Sequence, residues 1–194
     1  MTVFKRFAMY YAPEAGDLAD FGASWLGWDL TTGKATTHPQ IEGLDVAALT
    51  ATPRKYGLHG TMKPPFRLAE DTDFNALSAA AETLCAAQAP VRLEGLALAR
   101  LGGFLALTVT GDTQPLSTLA ATIVRGLDDY RAAPSDAELT RRRKANLTDR
   151  QGALLTQWGY PYVREEFRFH ITLTGRLDRV EADTVRNRLA PIVT

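Results

Sequence analysis

Two segments far apart in the chain alternate apolar and polar residues with a period of two. In FRFHITLTG, residues 167–175, Phe167, Phe169, Ile171 and Leu173 fall on one side, and Arg168, His170, Thr172 and Thr174 on the other. In YGLHGTMKPPF, residues 56–66, Tyr56, Leu58, Gly60 and Met62 share one side, and Gly57, His59, Thr61 and Lys63 share the other. Side chains two apart on a strand point to the same face. Each segment therefore predicts a strand with an apolar side for a core and a polar side that carries His-x-Thr. Tyr56 falls on the apolar side and is expected to pack there.

The remaining pattern supplies the scaffold. FKRFAMYYAP predicts a strand over 4–11, closed by Pro13 and Gly16. A helix is predicted from Asp17 to Leu26, with Asp17 as its cap, then a loop over 27–43. LDVAALTATP gives a short helix ended by Pro53. DTDFNALSAAAETLCAAQ has helical periodicity and strong helix formers. VRLEGLALARL and GFLALTVTG read as strands joined at Gly102-Gly103, a hairpin signal. PLSTLAATIVRGLDDYR is a helix. PSDAELTRRRKANLTDRQGALLTQWG is helical twice, with capping boxes from Ser135 to Glu138 and from Thr148 to Gln151. A last helix covers about 179–190. Hairpins mixed with helices predict an α+β fold with a mainly antiparallel sheet rather than a doubly wound parallel one. No low-complexity stretch or linker divides residues 1–194, so one domain is expected.

Composition narrows the partners. The chain has 194 residues, 45% of them hydrophobic, enough for a core. Lysine plus arginine number 22 and aspartate plus glutamate 22, without the basic excess that a long nucleic-acid groove needs. The one cysteine, Cys85, cannot form an internal disulfide, which points to a reducing compartment; it is expected buried in its helix. No run of about 18 apolar residues is present, so no membrane span is expected. The segment MTVFKRFAMYYAPEAGDLADF lacks the apolar centre and cleavage site of a signal peptide. A cytoplasmic protein is expected, its oligomeric state left open.

Two imidazoles can serve as base and acid in one turnover, because they titrate near neutral pH. A threonine hydroxyl beside each can donate to a phosphoryl oxygen as charge builds there. In-line attack on phosphorus needs a base on the nucleophile's side and an acid on the leaving oxygen's side. Two histidines across a cleft meet that need without a metal, and a cyclic phosphodiester suits it because its leaving oxygen stays tethered. Zinc would need a third ligand that the spacing does not offer, so no metal and no cofactor are expected. His38, in TTHPQ, reads as a surface loop histidine. Spacing alone leaves two readings open: paired catalytic histidines, or two unrelated strand histidines.

RKYGLHGTMKPPFRLA and GYPYVREEFRFHITLTGRL resemble the two-histidine phosphoesterase superfamily, in the branch associated with phosphonate-utilisation operons. FAMYYAP, LARLGGFLAL and PSDAELTRRRKANLTDRQGALLTQWGYPYV extend the likeness over most of the chain. The resemblance implies two pseudo-symmetric α/β lobes with an active-site groove between them. It assigns His59, Thr61, His170 and Thr172 to the catalytic positions. It implies a metal-independent phosphodiesterase acting on a small cyclic phosphate, a ribosyl phosphate of phosphonate metabolism. One departure stands out: lobe one reads strand, helix and the hairpin at 91–110, whereas lobe two stops at RLAPIVT, where the relatives continue with a further strand pair. A shortened second lobe is expected.

Four residues form a second tier, as substrate contacts. Tyr10 alternates opposite to Phe7, Met9 and Tyr11 and is placed to line the groove. Lys63 shares a side with His59, and Arg168 with His170; either suits an anionic substrate, or is an ordinary strand-surface cation. Tyr162, with Tyr160, approaches the second motif through Pro161 as a substrate wall. Arg141 to Lys144 read as a solvated helix face. Two alternatives stay in view: an RNA-end or nucleotide cyclic phosphodiesterase, and a non-catalytic nucleotide- or phosphosugar-binding module. The latter has no need of two His-x-Thr strands.

Overall fold

The computed structural model describes residues 6–193. In chain order the elements are β1 (Phe7–Tyr11), α1 (Asp17–Leu26), β2 (Trp28–Asp29), β3 (Lys34–Ala35), α2 (Val46–Leu49), a 3-10 turn (Pro53–Tyr56), β4 (Gly60–Phe66), α3 (Phe74–Ala86), β5 (Gly95–Leu101), β6 (Phe104–Thr110), α4 (Gln114–Gly126), α5 (Asp136–Arg143), α6 (Asp149–Trp158), a second 3-10 turn (Arg164–Glu166), β7 (His170–Thr172) and α7 (Arg179–Val193). The class is α+β, with a mostly antiparallel sheet flanked by helices. Positions 4 and 5 of the first expected strand lie outside the described residues. Two compact units divide the chain: residues 6–9, 61–92 and 112–169 form unit 1, and residues 10–60, 93–111 and 170–193 form unit 2.

Unit 2 holds most of a five-stranded sheet of order β1-β4-β7-β6-β5; within this unit β1 contributes Tyr10 and Tyr11, and β4 contributes Gly60. β5 and β6 pair along their whole length, from Gly95 opposite Thr110 to Leu101 opposite Phe104. Gly102, at φ 57°, takes the left-handed turn that glycine makes at least cost. β7 lies beside β6, Leu107 facing Ile171 and Thr108 facing His170, and Gly60 faces Ile171 on its other side. The hairpin assigned by its order to lobe one is thus the sheet partner of the second histidine strand. Sequence order gave no hint of this, because the pairing is non-local.

The apolar side of that sheet builds the core of unit 2. Leu105, Leu107, Ile171 and Leu173 are buried there, with Trp25 and Leu26 of α1 and Ala182, Val185 and Leu189 of α7. The Trp25 indole donates to the Leu173 carbonyl, 2.8 Å, which satisfies a buried N–H and ties α1 to the segment after β7. Gly22 is the closest approach of α1 to Leu58: a Cβ there would lie 2.6 Å from the Leu58 Cβ.

Several expectations are corrected in this unit. Gly16, not Asp17, occupies the cap position of α1; Asp17 sits in the first turn, where its charge favours the helix dipole. The expected loop contains a short ribbon, Trp28 opposite Ala35 and Asp29 opposite Lys34, turned by the Asp29 carboxylate accepting from the Thr31 and Thr32 N–H groups. His38 is half-buried rather than surface: its Nδ1–H meets the Trp25 carbonyl at 3.0 Å, and its ring packs against Gly27. That carbonyl is at the end of α1, where intrahelical donors run out.

Unit 1 is mainly helical. Asp73 caps α3 by accepting from Ala76 N–H. Both expected capping boxes are present, at Ser135 for α5 and Thr148 for α6. Val124, Leu154 and Val163 form a core cluster, with Trp158 and Tyr160 packed against it. Cys85 is exposed, not buried. The inward stripe of α3 is Leu77, Ala80, Ala81 and Leu84, and Cys85 lies about 100° round the helix from Leu84.

Two glycine-to-alanine changes test the packing. Alanine favours a helix interior over glycine by about 1 kcal/mol. At Gly152 in α6 a Cβ would meet nothing within 4 Å, so Gly152→Ala should raise stability by about 0.5–1 kcal/mol. Gly22→Ala should lower it by about 1–3 kcal/mol, because overpacking against Leu58 outweighs the propensity gain. Urea midpoints measure both; stabilisation by Gly22→Ala would contradict the contact described.

Candidate active site

His59 is positioned by the turn that precedes it. Pro53 starts the 3-10 turn, and Arg54 pins it: its Nε donates to the Leu26 carbonyl at 2.9 Å, and a terminal nitrogen to the Thr50 hydroxyl at 3.0 Å. Gly57 then takes φ 71°, ψ −179°, a region open in practice to glycine. Leu58 drops into the core beside Gly22. His59 is left on the opposite side of the chain from Leu58, at the entrance to β4.

The pairing of Gly60 with Ile171 carries the next step. Continued by one residue, it sets His59 opposite Thr172. His170 is then the diagonal neighbour of His59, for which Cα separations are about 7–8 Å. Thr172 faces Ala106, and His170 faces Thr108, on the other side of β7. One face of the unit 2 sheet therefore presents both imidazoles with Thr172. Thr61 follows His59 by two in the sequence and opens the part of β4 that belongs to unit 1. Among the described residues the hydroxyls of Thr61 and Thr172 meet no hydrogen-bond partner. Thr174, two residues beyond Thr172, differs: it is buried, accepts from Leu105 N–H at 3.0 Å and donates to the Gly175 carbonyl at 2.9 Å. Thr174 holds the sheet together and does not extend the polar face.

The His59 ring is held from three directions. Its Nδ1 lies 2.9 Å from the Gly57 carbonyl. A carbonyl only accepts, so Nδ1 carries the proton, and the lone pair of the neutral ring is on Nε2. The Tyr10 ring tilts over it, centroids 4.0 Å apart, and the Tyr56 ring meets it edge-on at 6.2 Å. Burial holds the imidazole below its usual 6.5, the bond to Gly57 partly offsets this, and the charge of His170 lowers it further. His59 is thus a neutral acceptor at pH 7. Phe104 lies against His170, centroids 5.7 Å apart.

Of the second-tier residues, Tyr10 belongs to unit 2 and Lys63, Tyr162 and Arg168 to unit 1. Tyr10 is beside His59 and 37% exposed; its neighbour Tyr11 is exposed as well. Lys63 is only 2% exposed. Its ammonium donates to the Val124 carbonyl at 2.9 Å and lies 3.5 Å from Asp128, within unit 1. Burial pushes it down to about 8, against the pull of Asp128. The ammonium is thus committed to Val124 and Asp128 in the interior of unit 1. Arg168 is exposed and lies before β7, which starts only at His170. Tyr162 is 43% exposed in unit 1, edge-on to Tyr160 at 5.7 Å.

Tyr56 was expected in the core and is 56% exposed. It ends the 3-10 turn, so strand alternation does not reach it. Phe104 is a ring neighbour of His170 that the motifs did not single out. For Phe104 a signal existed: Phe104, Ala106 and Thr108 alternate along one side of β6. No group of three or more His, Cys, Asp or Glu side chains able to hold a metal occurs among the described residues. Among the same residues no helix is long and apolar enough to cross a membrane.

Comparison with known proteins follows from this geometry. Two curated relatives are both named ribose 1,5-bisphosphate phosphokinase PhnN. The protein of Janthinobacterium sp. (strain Marseille) is 39% identical over 184 residues, covering 93% of this chain and 41% of the relative. That of Laribacter hongkongensis (strain HLHK9) is 35% identical over 177 residues, covering 91% of this chain and 41% of the relative. The chain thus spans about two fifths of the length of the curated relatives it matches. No solved structure matches it. Residues 61–194, which include Thr61 and the whole second His-x-Thr strand, match a family described as "Protein of unknown function (DUF1045)". With most of its length inside that match, the chain belongs to the DUF1045 family.

Proposed function

We propose that the chain is a metal-independent phosphodiesterase that hydrolyses a small cyclic phosphate, with the two-lobed two-histidine phosphoesterase arrangement as its fold. The observation that carries this reading is the face where His59 and His170 lie diagonally, with the uncommitted Thr172 hydroxyl opposite His59. His59 acts as base: its Nε2 takes a proton from water as the water oxygen bonds to phosphorus. The bond from phosphorus to the ring's leaving oxygen breaks, and protonated His170 delivers its proton to that oxygen. The product is a phosphomonoester, and the two protons balance. Thr172 donates to a non-bridging oxygen, where charge builds.

A ribosyl cyclic phosphate is the proposed substrate. The relatives' name, which places a ribose bisphosphate in their chemistry, supports it. Their phosphokinase activity belongs to proteins more than twice as long. The P-loop pattern G-x-x-x-x-G-K-[ST] is absent from this sequence: Gly33-Lys34 is followed by Ala35, and Trp28 stands where the motif needs glycine. A second reading, a nucleoside cyclic phosphate, is favoured by Tyr10 and Tyr56, whose rings flank His59 and are open to solvent.

The chemistry is tested with cyclic phosphates of both kinds in EDTA. His59→Ala and His170→Ala should each lower kcat by roughly 10²–10⁴-fold, the usual worth of one general acid or base. The double variant should lose far less than the product, since the two act as a unit. Thr172→Val should cost less than either. Full activity in His170→Ala, or activity that EDTA abolishes and zinc restores, would sink this reading. ATP-dependent phosphorylation of a ribose bisphosphate by the isolated chain would replace it with the kinase.

The proton assignment has its own test. A lowered His59 pKa keeps the ring neutral as pH falls through 6.5, so the acid limb of kcat/KM should lie below 6.5. In His170→Ala the NMR titration of His59 should move upward, because a repelling charge is gone. It should stay below 6.5, because burial is the larger cause. A His59 midpoint above 6.5 in the unmodified protein would remove it as the base.

A further inference from the structure

Unit 1 contains a small cavity that plays no part in the chemistry above. Its volume is about 30 Å³, about the space of two waters. Arg6, Lys63, Arg67, Arg131 and Arg142 line it, together with the Trp158 ring and one carboxylate, Glu138. The charges do not cancel. Glu138 accepts from Arg67 at 3.2 Å. Asp128 takes Arg131 through both oxygens, at 2.7 and 2.9 Å, and Lys63 at 3.5 Å. Two carboxylates thus serve five cations. Arg6 donates to the Pro65 carbonyl at 2.9 Å, and Arg142 stacks over Tyr160 at 4.7 Å; neither contact neutralises its charge. The Arg142 guanidinium is moreover partly desolvated, which works against its charge.

A further donor has no acceptor. Trp158 Nε1–H is shut off from solvent and meets no hydrogen-bond partner among the described residues. A buried donor without an acceptor is a rare and costly state. Water could satisfy the indole but not the surplus positive charge. A ligand with several acceptor oxygens and negative charge satisfies both. A compact oxyanion meets both needs at once.

We propose that this cavity is an anion site for a phosphate group, taken as inorganic phosphate or as the phosphoryl end of a small phosphomonoester. Arg67, Arg142 and the Trp158 indole are its donors. The site is independent of the chemistry at His59 and His170.

The chain has three tryptophans, so indole N–H resonances of ¹⁵N-labelled protein give a direct readout. Trp158→Phe assigns the signal. Inorganic phosphate, titrated at constant ionic strength against chloride, should move the Trp158 resonance saturably and leave those of Trp25 and Trp28 in place. Arg142→Gln and Arg67→Gln should each raise Kd about tenfold, the worth of one charge-assisted hydrogen bond. Arg67 has a 45% exposed side chain, so its variant should fold even if Arg142→Gln does not. The His59→Ala/His170→Ala double variant should keep the same Kd. Ribose 5-phosphate in place of phosphate separates the sources: tighter binding assigns the site to a phosphomonoester, equal or weaker binding to inorganic phosphate. An unmoved or non-saturating Trp158 signal, an equal response to chloride, or an unchanged Kd in the arginine variants would overturn the proposal.

Discussion

The pairing of Gly60 with Ile171 decides which side chains share a face with the two imidazoles. It is enforced from the other face. Ile171 and Leu173 are fully buried, and Leu105 and Leu107 lie under them from β6. Burying such a side chain contributes about 1.5–3 kcal/mol. A slip of one residue would turn Ile171 and Leu173 toward the polar side and His170 and Thr172 into the core. The histidines hold their places because their neighbours in sequence cannot be exposed. Leu58 plays the same part for His59, seated against Gly22 of α1.

This division explains what was legible in the sequence. Alternation gave the parity of each histidine strand, and parity is a local property. The capping boxes at Ser135 and Thr148 and the hairpin at Gly102-Gly103 were legible for the same reason, since each is closed within a few residues. The partner of a strand is a different matter. Nothing in LALTVT says that it will lie beside ITL some sixty residues on, so the pairing of the hairpin with β7 was not legible. The extent of alternation was misread at both ends. The 3-10 turn at Pro53–Tyr56 exposes Tyr56, and the one at Arg164–Glu166 delays β7 until His170, which leaves Arg168 off the strand. Lys63 has the right parity, yet its reach is set by Val124 and Asp128, which no pattern in residues 56–66 could foretell.

The polar groups sort by whether the fold has already used them. Thr174 and Thr172 are two residues apart. Thr174 spends its hydroxyl on Leu105 and Gly175 at the end of β7, while Thr172, paired within the strand, has nothing to bond. His38 and His59 invite the same comparison. Each sets Nδ1 against a carbonyl, Trp25 for one and Gly57 for the other. The difference is at the far side of the ring. His38 presses on Gly27, so closely that a Cβ there would be 2.5 Å from its Nε2. His59 is bounded instead by the rings of Tyr10 and Tyr56, which shield it without occupying Nε2 as a lone-pair donor. His38 is therefore a clasp for the end of α1, whereas the His59 ring is walled by aromatic rings.

The proposed turnover also needs the two histidines to differ. Identical imidazoles would gain and lose protons together, and a pair with two protons or none has no base or no acid. At His59 burial disfavours the charged ring, the Gly57 bond offsets this in part, and the charge of His170 disfavours it further. A proton on His170 therefore disfavours one on His59, and burial of His59 works in the same direction. The single-proton state with His59 neutral and His170 charged is the arrangement an in-line displacement requires, and after each turnover the proton that His59 has gained must pass through solvent or product to His170 before the next begins.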